Sequence, residues 1–123
     1  MLLNNQSIIS NYSNIQIDFK NYLEKKDSII FKNCYDIKVK ITSKINKLIF
    51  INCDMVSLQC SETISGIDIE KCNSFKLEPL EPYCLNIIDC FKSSIEFILN
   101  NNIKLNKLKI VSQDCIITTS YLL

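Results

Sequence analysis

The sequence predicts an all-β protein, a right-handed parallel β-helix of about six coils, and three observations support this fold. Apolar residues recur at alternate positions through most of the 123-residue chain, as in strands with one buried face. These segments are rich in β-branched and aromatic residues and lack the three- and four-residue apolar spacing of helices. Cysteines recur at a nearly constant interval, which is typical of a solenoid of stacked repeats.

The cysteine interval defines the repeat. Four cysteines are separated by 19, 19 and 18 residues: Cys34, Cys53, Cys72 and Cys90. An apolar pair stands five and three positions before each of them: Ile29 and Phe31, Leu48 and Phe50, Ile67 and Ile69, Leu85 and Ile87. A second pair stands three and five positions after the first three: Ile37 and Val39, Val56 and Leu58, Phe75 and Leu77. Each repeat therefore contains two strands with a cysteine between them, which together form one coil.

Less regular coils are expected before and after the four repeats. The segment "SNIQIDF" supplies an earlier coil through Ile15, Ile17 and Phe19, and "NKLKIVSQDC" supplies a later one through Leu108 and Ile110. We therefore expect one β-helix domain over residues 1–123. A leucine-rich-repeat-like solenoid is the alternative, because its period is similar. Its return segment is helical, however, whereas a second alternating strand follows each cysteine here.

Each cysteine is expected at a corner between two strands, where a small and apolar side chain fits. Reduced cysteine is often buried in this way. The preceding residue is Asn33, Asn52, Lys71 or Asp89, and Asn and Asp accept the left-handed backbone conformations found at bends. Zinc sites usually contain close Cys or His pairs, and the chain has neither a C-x-x-C motif nor a His. We therefore interpret the cysteines as structural and expect no metal or cofactor.

The composition disfavours catalysis, nucleic-acid binding and membrane insertion. The chain has no His and no Arg, which removes the usual general base and the bidentate clamp for phosphate. Its 14 Lys residues are scattered among 13 acidic residues, whereas a nucleic-acid-binding protein concentrates its positive charge. No segment approaches the roughly 18 apolar residues of a membrane span, and none has the pattern of a secretory signal. We therefore expect a cytoplasmic binding protein and not an enzyme.

The repeats resemble one known family. The phrases "KINKLIFINCDMVSLQC" and "GIDIEKCNSFKLEP" resemble the C-terminal β-helix domain of the cyclase-associated proteins, from about residue 28 to residue 99. The shared features are the Lys44-Ile45-Asn46 triplet, the Asn52-Cys53 corner, Gly66 at the start of the next coil, and the repeat length. A tubulin-folding cofactor C type β-helix has the same architecture and is the alternative. Its GTPase-activating function depends on an arginine, so here the resemblance implies a structural or scaffolding role.

The resemblance to cyclase-associated proteins implies a function and a partner. Members of that family bind ADP-actin monomers and promote their exchange to ATP-actin, which recycles subunits for filament growth. They form homodimers through an exchanged C-terminal hairpin, and this sequence stops at "CIITTSYLL", where the family continues into that hairpin. The expected state is therefore a monomer, or a dimer formed without the hairpin.

Two surfaces are candidates for binding the partner. Both consist of outward residues, which form columns across successive coils. A basic patch that faces acidic actin is expected from five residues: Lys38, Lys40, Lys44, Asn46 and Lys47. The alternative interpretation is that these lysines form a solvated face, which keeps the sheet from pairing with strands of other chains. A protein interface is expected from outward isoleucines four and two positions before the cysteines: Ile30, Ile49, Ile51 and Ile88. A peripheral segment such as "MLLNNQSII" folded over these isoleucines is the alternative.

Overall fold

All the regular structure of the chain is β-strand in a computed structural model that describes residues 5–20, 23–80, 86–99 and 108–122. The strands are β1 (Asn5–Ser10), β2 (Ser13–Asp18), β3 (Asp27–Lys32), β4 (Tyr35–Ile41), β5 (Lys47–Ile51), β6 (Asp54–Cys60), β7 (Ile67–Glu70), β8 (Asn73–Pro79), β9 (Asn86–Phe91), β10 (Ser94–Leu99), β11 (Leu108–Gln113) and β12 (Ile116–Tyr121). In these ranges there is no helix of the length and apolarity that a membrane crossing requires.

The strands form two parallel six-stranded sheets. Odd-numbered strands make the first sheet in the order β1-β3-β5-β7-β9-β11, and even-numbered strands make the second sheet in the order β2-β4-β6-β8-β10-β12. Every strand pairs in parallel with the strand two places away in sequence, so the chain winds through six strand pairs. The predicted parallel β-solenoid is confirmed. A second strand follows each corner, as the β-helix interpretation required.

The core lies between the inner faces of the two sheets. Inward residues of successive coils stack in register, as in Ile37, Val56 and Phe75 of the second sheet, which are almost fully buried. In the first sheet the rings of Phe31 and Phe50 stack with centroids 4.7 Å apart. Each such buried side chain contributes roughly 1.5–3 kcal/mol through the hydrophobic effect. The alternation seen in the sequence therefore stabilises the fold directly.

Three corners have the predicted cysteine. Cys34, Cys53 and Cys72 are almost completely buried, and the residue before each has a left-handed backbone with φ of 53° or 54°. The thiol of Cys53 donates to the carbonyl oxygens of Ile51, at 3.4 Å, and of Phe31 in the preceding coil, at 3.5 Å. The structural interpretation of these corner cysteines is confirmed.

The fourth repeat differs from the prediction. Cys90 is not at a corner: it lies inside β9 and stacks on Ile69, with its side chain in the core. The corner residue is Ser93, whose hydroxyl donates to the carbonyl of Phe91 at 2.9 Å and accepts from the backbone N–H of Cys72 at 3.1 Å. Placing the fourth repeat at Cys90 is therefore wrong. The physical reason is that serine has the same small size as cysteine and makes the same contacts to the corner carbonyls.

The shifted corner reverses the faces of β9. The spacing from Cys90 predicted Ile87 in the core and Ile88 on the surface, and both predictions are wrong. Ile88 is completely buried, whereas Ile87 is 45% exposed. Leu85, the other residue of the predicted pair, lies outside the described residues.

Alkaline pH should destabilise the fold through the buried thiols. Burial raises the pKa of Cys34, and it raises the pKa of Cys90 to about 12. The folded protein therefore retains thiol protons that the unfolded chain loses above about pH 8.5. This stabilisation is fully present below that pH and is lost as pH rises toward 12.

We expect the free energy of unfolding, measured by urea denaturation, to fall between pH 7.5 and pH 10. The variant Cys90→Ser removes one buried thiol and leaves every lysine and tyrosine in place. Its free energy of unfolding should therefore fall less between pH 7.5 and pH 10. Equal losses in the two proteins would contradict a role for the Cys90 thiol.

Candidate functional site

The outer face of the second sheet has the side chains that the sequence placed outward. Two rows cross β4, β6 and β8 in register: Lys38, Ser57 and Lys76, and then Lys40, Gln59 and Glu78. The three lysines are exposed, and the other three residues are half-buried. The predicted outward columns are confirmed. We call Lys38, Lys40 and Lys76 the lysine face.

A groove of about 250 Å³ crosses the lysine face and extends to Gln16 and Asp18 of β2. Glu78 accepts a hydrogen bond from Gln59 at 3.3 Å, so this carboxylate is engaged within its own row. In the part of the chain that the structure describes, none of the three lysines makes an ion pair. The groove therefore combines three ammonium groups with the carboxylates of Asp18 and Glu78, so its net charge is positive.

The structure divides the predicted basic patch. Lys47 lies in β5 of the first sheet and pairs with Asp68 at 3.1 Å, and Lys44 lies before β5 and pairs with Glu62 at 3.5 Å. Lys38 and Lys40 lie on the second sheet. The four lysines therefore do not form one patch, because the chain changes sheets between Lys40 and Lys47.

Asn46 links three coils. Its Nδ2 donates to the Ser28 hydroxyl at 2.9 Å, and its Oδ1 accepts from the Ser65 hydroxyl at 2.7 Å. Both ends of the amide are thus engaged within the chain. These bonds support a structural role, while a contact of Asn46 with a partner stays a prediction.

An isoleucine strip lies on the outer face of the first sheet. Ile30, Ile49 and Ile51 are half-buried there, and Ile8 of β1 continues the row with 63% exposure. Ile88 is not part of the strip, because it points into the core. The role of this strip as an interface stays a prediction.

Sequence reasoning missed Met55 and Tyr35, which lie next to the cysteine corners, at the start of β6 and of β4 in the second sheet. Met55 is 45% exposed and has φ of 54°, and Tyr35 is 50% exposed. A left-handed conformation costs a residue of this type about 1–2 kcal/mol. The equivalent residues of the neighbouring coils are Asp36 and Ser74, with φ of 54° and 52°. The alignment of Met55 with Asp36 was the available signal, since Asp favours such bends.

The site has the features of a binding surface. Its polar groups are three lysines, two carboxylates, amides and a hydroxyl on the outer face of a sheet, and the excess of lysine can bind an anionic surface through charge and hydrogen bonds. Within the described ranges no three Cys, Asp or Glu side chains are grouped so as to hold a metal ion.

Comparisons with known proteins agree with this fold. Residues 1–115 match the sequence family described as adenylate cyclase associated (CAP) C terminal. Among solved structures, the chain resembles the crystal structure of cyclase-associated protein from Cryptosporidium parvum, with a TM-score of 0.76 and 17% identity. The similarity covers 98% of this chain and 73% of that chain, and it shows a common fold. No protein with a curated description matches the sequence.

Proposed function

The chain belongs to the adenylate cyclase-associated protein (CAP) C-terminal family, and from this premise we propose that it is an actin-binding module for actin monomers. The observation that carries the proposal is the lysine face, whose three ammonium groups have no described ion-pair partner. Monomeric actin is acidic, so a lysine-rich face would steer its approach and favour its docking. The proposed preference is for ADP-actin.

The proposed consequence of binding is faster exchange of ADP for ATP on actin. A binding module can accelerate exchange without making or breaking bonds, provided that it binds the open nucleotide site more tightly than the closed one. The free energy difference between those two affinities then lowers the cost of opening the site. Release of a fluorescent nucleotide from ADP-actin, followed with and without the module, tests this step.

Charge reversal on the lysine face should weaken actin binding. We expect Lys38→Glu with Lys40→Glu to lower the affinity for ADP-actin monomers at least tenfold at low salt, where screening is weakest. Both side chains are exposed and unpaired in the described structure, so the circular-dichroism spectrum should not change. Fluorescence anisotropy of labelled ADP-actin would measure the affinity.

The pair Lys44→Glu with Lys47→Glu is the control for net charge, because it makes the same charge change away from the groove; it breaks the ion pairs with Glu62 and Asp68, so its circular-dichroism spectrum is compared as well. It should change the affinity less than threefold, which is below 1 kcal/mol. If this pair weakened binding and the Lys38 and Lys40 pair did not, the lysine face would not be the binding site. Absence of binding by the unmodified protein at micromolar concentration would contradict the proposed function itself.

A further inference from the structure

Met55 has a backbone conformation that its own side chain does not favour. In three other coils the equivalent residues are Asn14, Asp36 and Ser74, all with φ between 52° and 55°. Asn and Asp tolerate this region, and Ser is a small polar residue common at turns, because such side chains bond locally to the backbone. A methionine side chain makes no such bond. The methionine therefore gives the backbone at this bend no local side-chain hydrogen bond.

Burial within the chain does not explain the methionine either. The Met55 side chain is 45% exposed, and Tyr35 at the start of the preceding strand is 50% exposed. Neither belongs to the buried core cluster or to the hydrophobic residues packed against it. Two large apolar side chains are thus presented to the outside at one corner edge, and one of them is held in a strained conformation. Since the equivalent bends of other coils have nearly the same φ, the unusual feature of this position is the exposed methionine and not the backbone conformation.

The position of these residues connects them with the lysine face. Met55 and Ser57 are both on the outer side of β6, and Ser57 lies in register between Lys38 and Lys76. Met55 therefore borders the row that contains two of the three unpaired lysines. Interfaces often combine a few apolar anchors with a charged surround, and Met and Tyr are enriched among the anchors. Methionine suits an anchor, since its flexible thioether adapts to an irregular pocket.

We propose that Met55, with Tyr35 on the neighbouring strand β4, is the apolar anchor of the lysine face and inserts into an apolar pocket on an acidic protein surface. The proposal rests on the proposed function, in which that surface belongs to monomeric actin. The lysines supply long-range attraction to the acidic surface, and the anchor supplies contact area once the surfaces meet. On this division, the lysines govern the salt dependence and association rate, while Met55 governs the dissociation rate.

The test compares two substitutions at equivalent positions of adjacent coils. Met55→Asn removes the anchor and relieves the strain, so the melting temperature should rise by about 3 °C while the affinity for ADP-actin falls at least tenfold. Ser74→Asn makes a similar change at the same bend of the next coil, and it should leave the affinity within twofold. Stopped-flow binding should assign the loss in Met55→Asn to faster dissociation, with the salt dependence unchanged. Tyr35→Ser should weaken binding in the same direction.

Three results would overturn the inference. If the unmodified protein binds actin and Met55→Asn binds equally well, the anchor is wrong and the proposed function stands. If Met55→Asn lowers the melting temperature, Met55 stabilises the fold and needs no partner to explain it. If the unmodified protein does not bind actin, both the inference and the proposed function fail.

Discussion

Replacing Cys53 by Asp is expected to lower the free energy of unfolding by about 4 kcal/mol, which is a large fraction of the roughly 5–15 kcal/mol typical of a domain. The site is 1% exposed, and the thiol points at the carbonyl oxygens of Ile51 and Phe31. A carboxylate there would lie against two carbonyl acceptors, and a hydrogen bond from the Cys34 backbone would offset only part of the cost of burying its charge. Urea denaturation followed by circular dichroism measures the loss, and we expect Cys53→Asp to unfold at a much lower urea concentration.

The controls for this prediction come from the chain itself. Ser93 already occupies the equivalent corner and donates to the Phe91 carbonyl, so Cys53→Ser should cost only about 1 kcal/mol. Cys53→Ala keeps the site neutral and should also cost about 1 kcal/mol, for the lost sulfur contacts. If Cys53→Asp unfolded at the same urea concentration as the unmodified protein, the corner would not be buried.

The second large effect is expected at Gly66, the one glycine of the chain. Its φ is 95°, and a Cβ atom built on it would lie 2.6 Å from the backbone carbonyl oxygen of Ile87. Since that oxygen belongs to the backbone, a rotamer change cannot relieve the clash. We expect Gly66→Ala to lower the free energy of unfolding by about 2–3 kcal/mol, from backbone strain and steric overlap together.

Ile64→Ala is the matched control for Gly66→Ala, because it lies in the same connection and is 52% exposed. It should change the free energy of unfolding by less than about 0.5 kcal/mol, as is usual for surface positions. Thermal denaturation of both variants would test the pair. A Gly66→Ala protein as stable as Ile64→Ala would mean that β7 and β9 do not approach each other as closely as the structure indicates.

The fold could be predicted from the sequence because the first three repeats obey two independent patterns. Alternating apolar residues specify which face of each strand is buried, and a cysteine at a constant interval specifies where the chain turns. Around Cys34, Cys53 and Cys72 the two patterns agree. A wrong register in these repeats would bury several charged residues at once. The alternative registers would therefore be much less stable than the predicted one.

The fourth repeat could not be assigned in the same way, because its patterns conflict. Ile87 and Ile88 are adjacent, so apolar alternation allows either to face the core. The cysteine interval favoured Ile87, whereas the structure buries Ile88 together with Cys90. The pair Lys92-Ser93, which resembles Lys71-Cys72, was the signal that would have separated the two registers.

The candidate site was predictable only in part. Outward positions follow from alternation, which is why Lys38 and Lys40 were assigned correctly to the surface. Whether they share a face with Lys47 depends on the turn between the sheets. Met55 was missed because nothing in a methionine's chemistry indicates a left-handed backbone.

The parallel stacking of coils has a consequence for the motions of the molecule. Each coil pairs only with the coils before and after it. The free energy of unfolding is therefore approximately a sum of contributions from adjacent coils, and local unfolding requires the least free energy at the two end coils. The inward residues Ile15 and Ile110 of the end coils are half-buried, whereas their counterparts in the middle are almost fully buried. Fraying therefore proceeds from the ends in steps of one coil. Lys38, Met55 and Lys76 belong to the second, third and fourth strand pairs, so the face proposed to meet actin keeps its shape while the ends open and close.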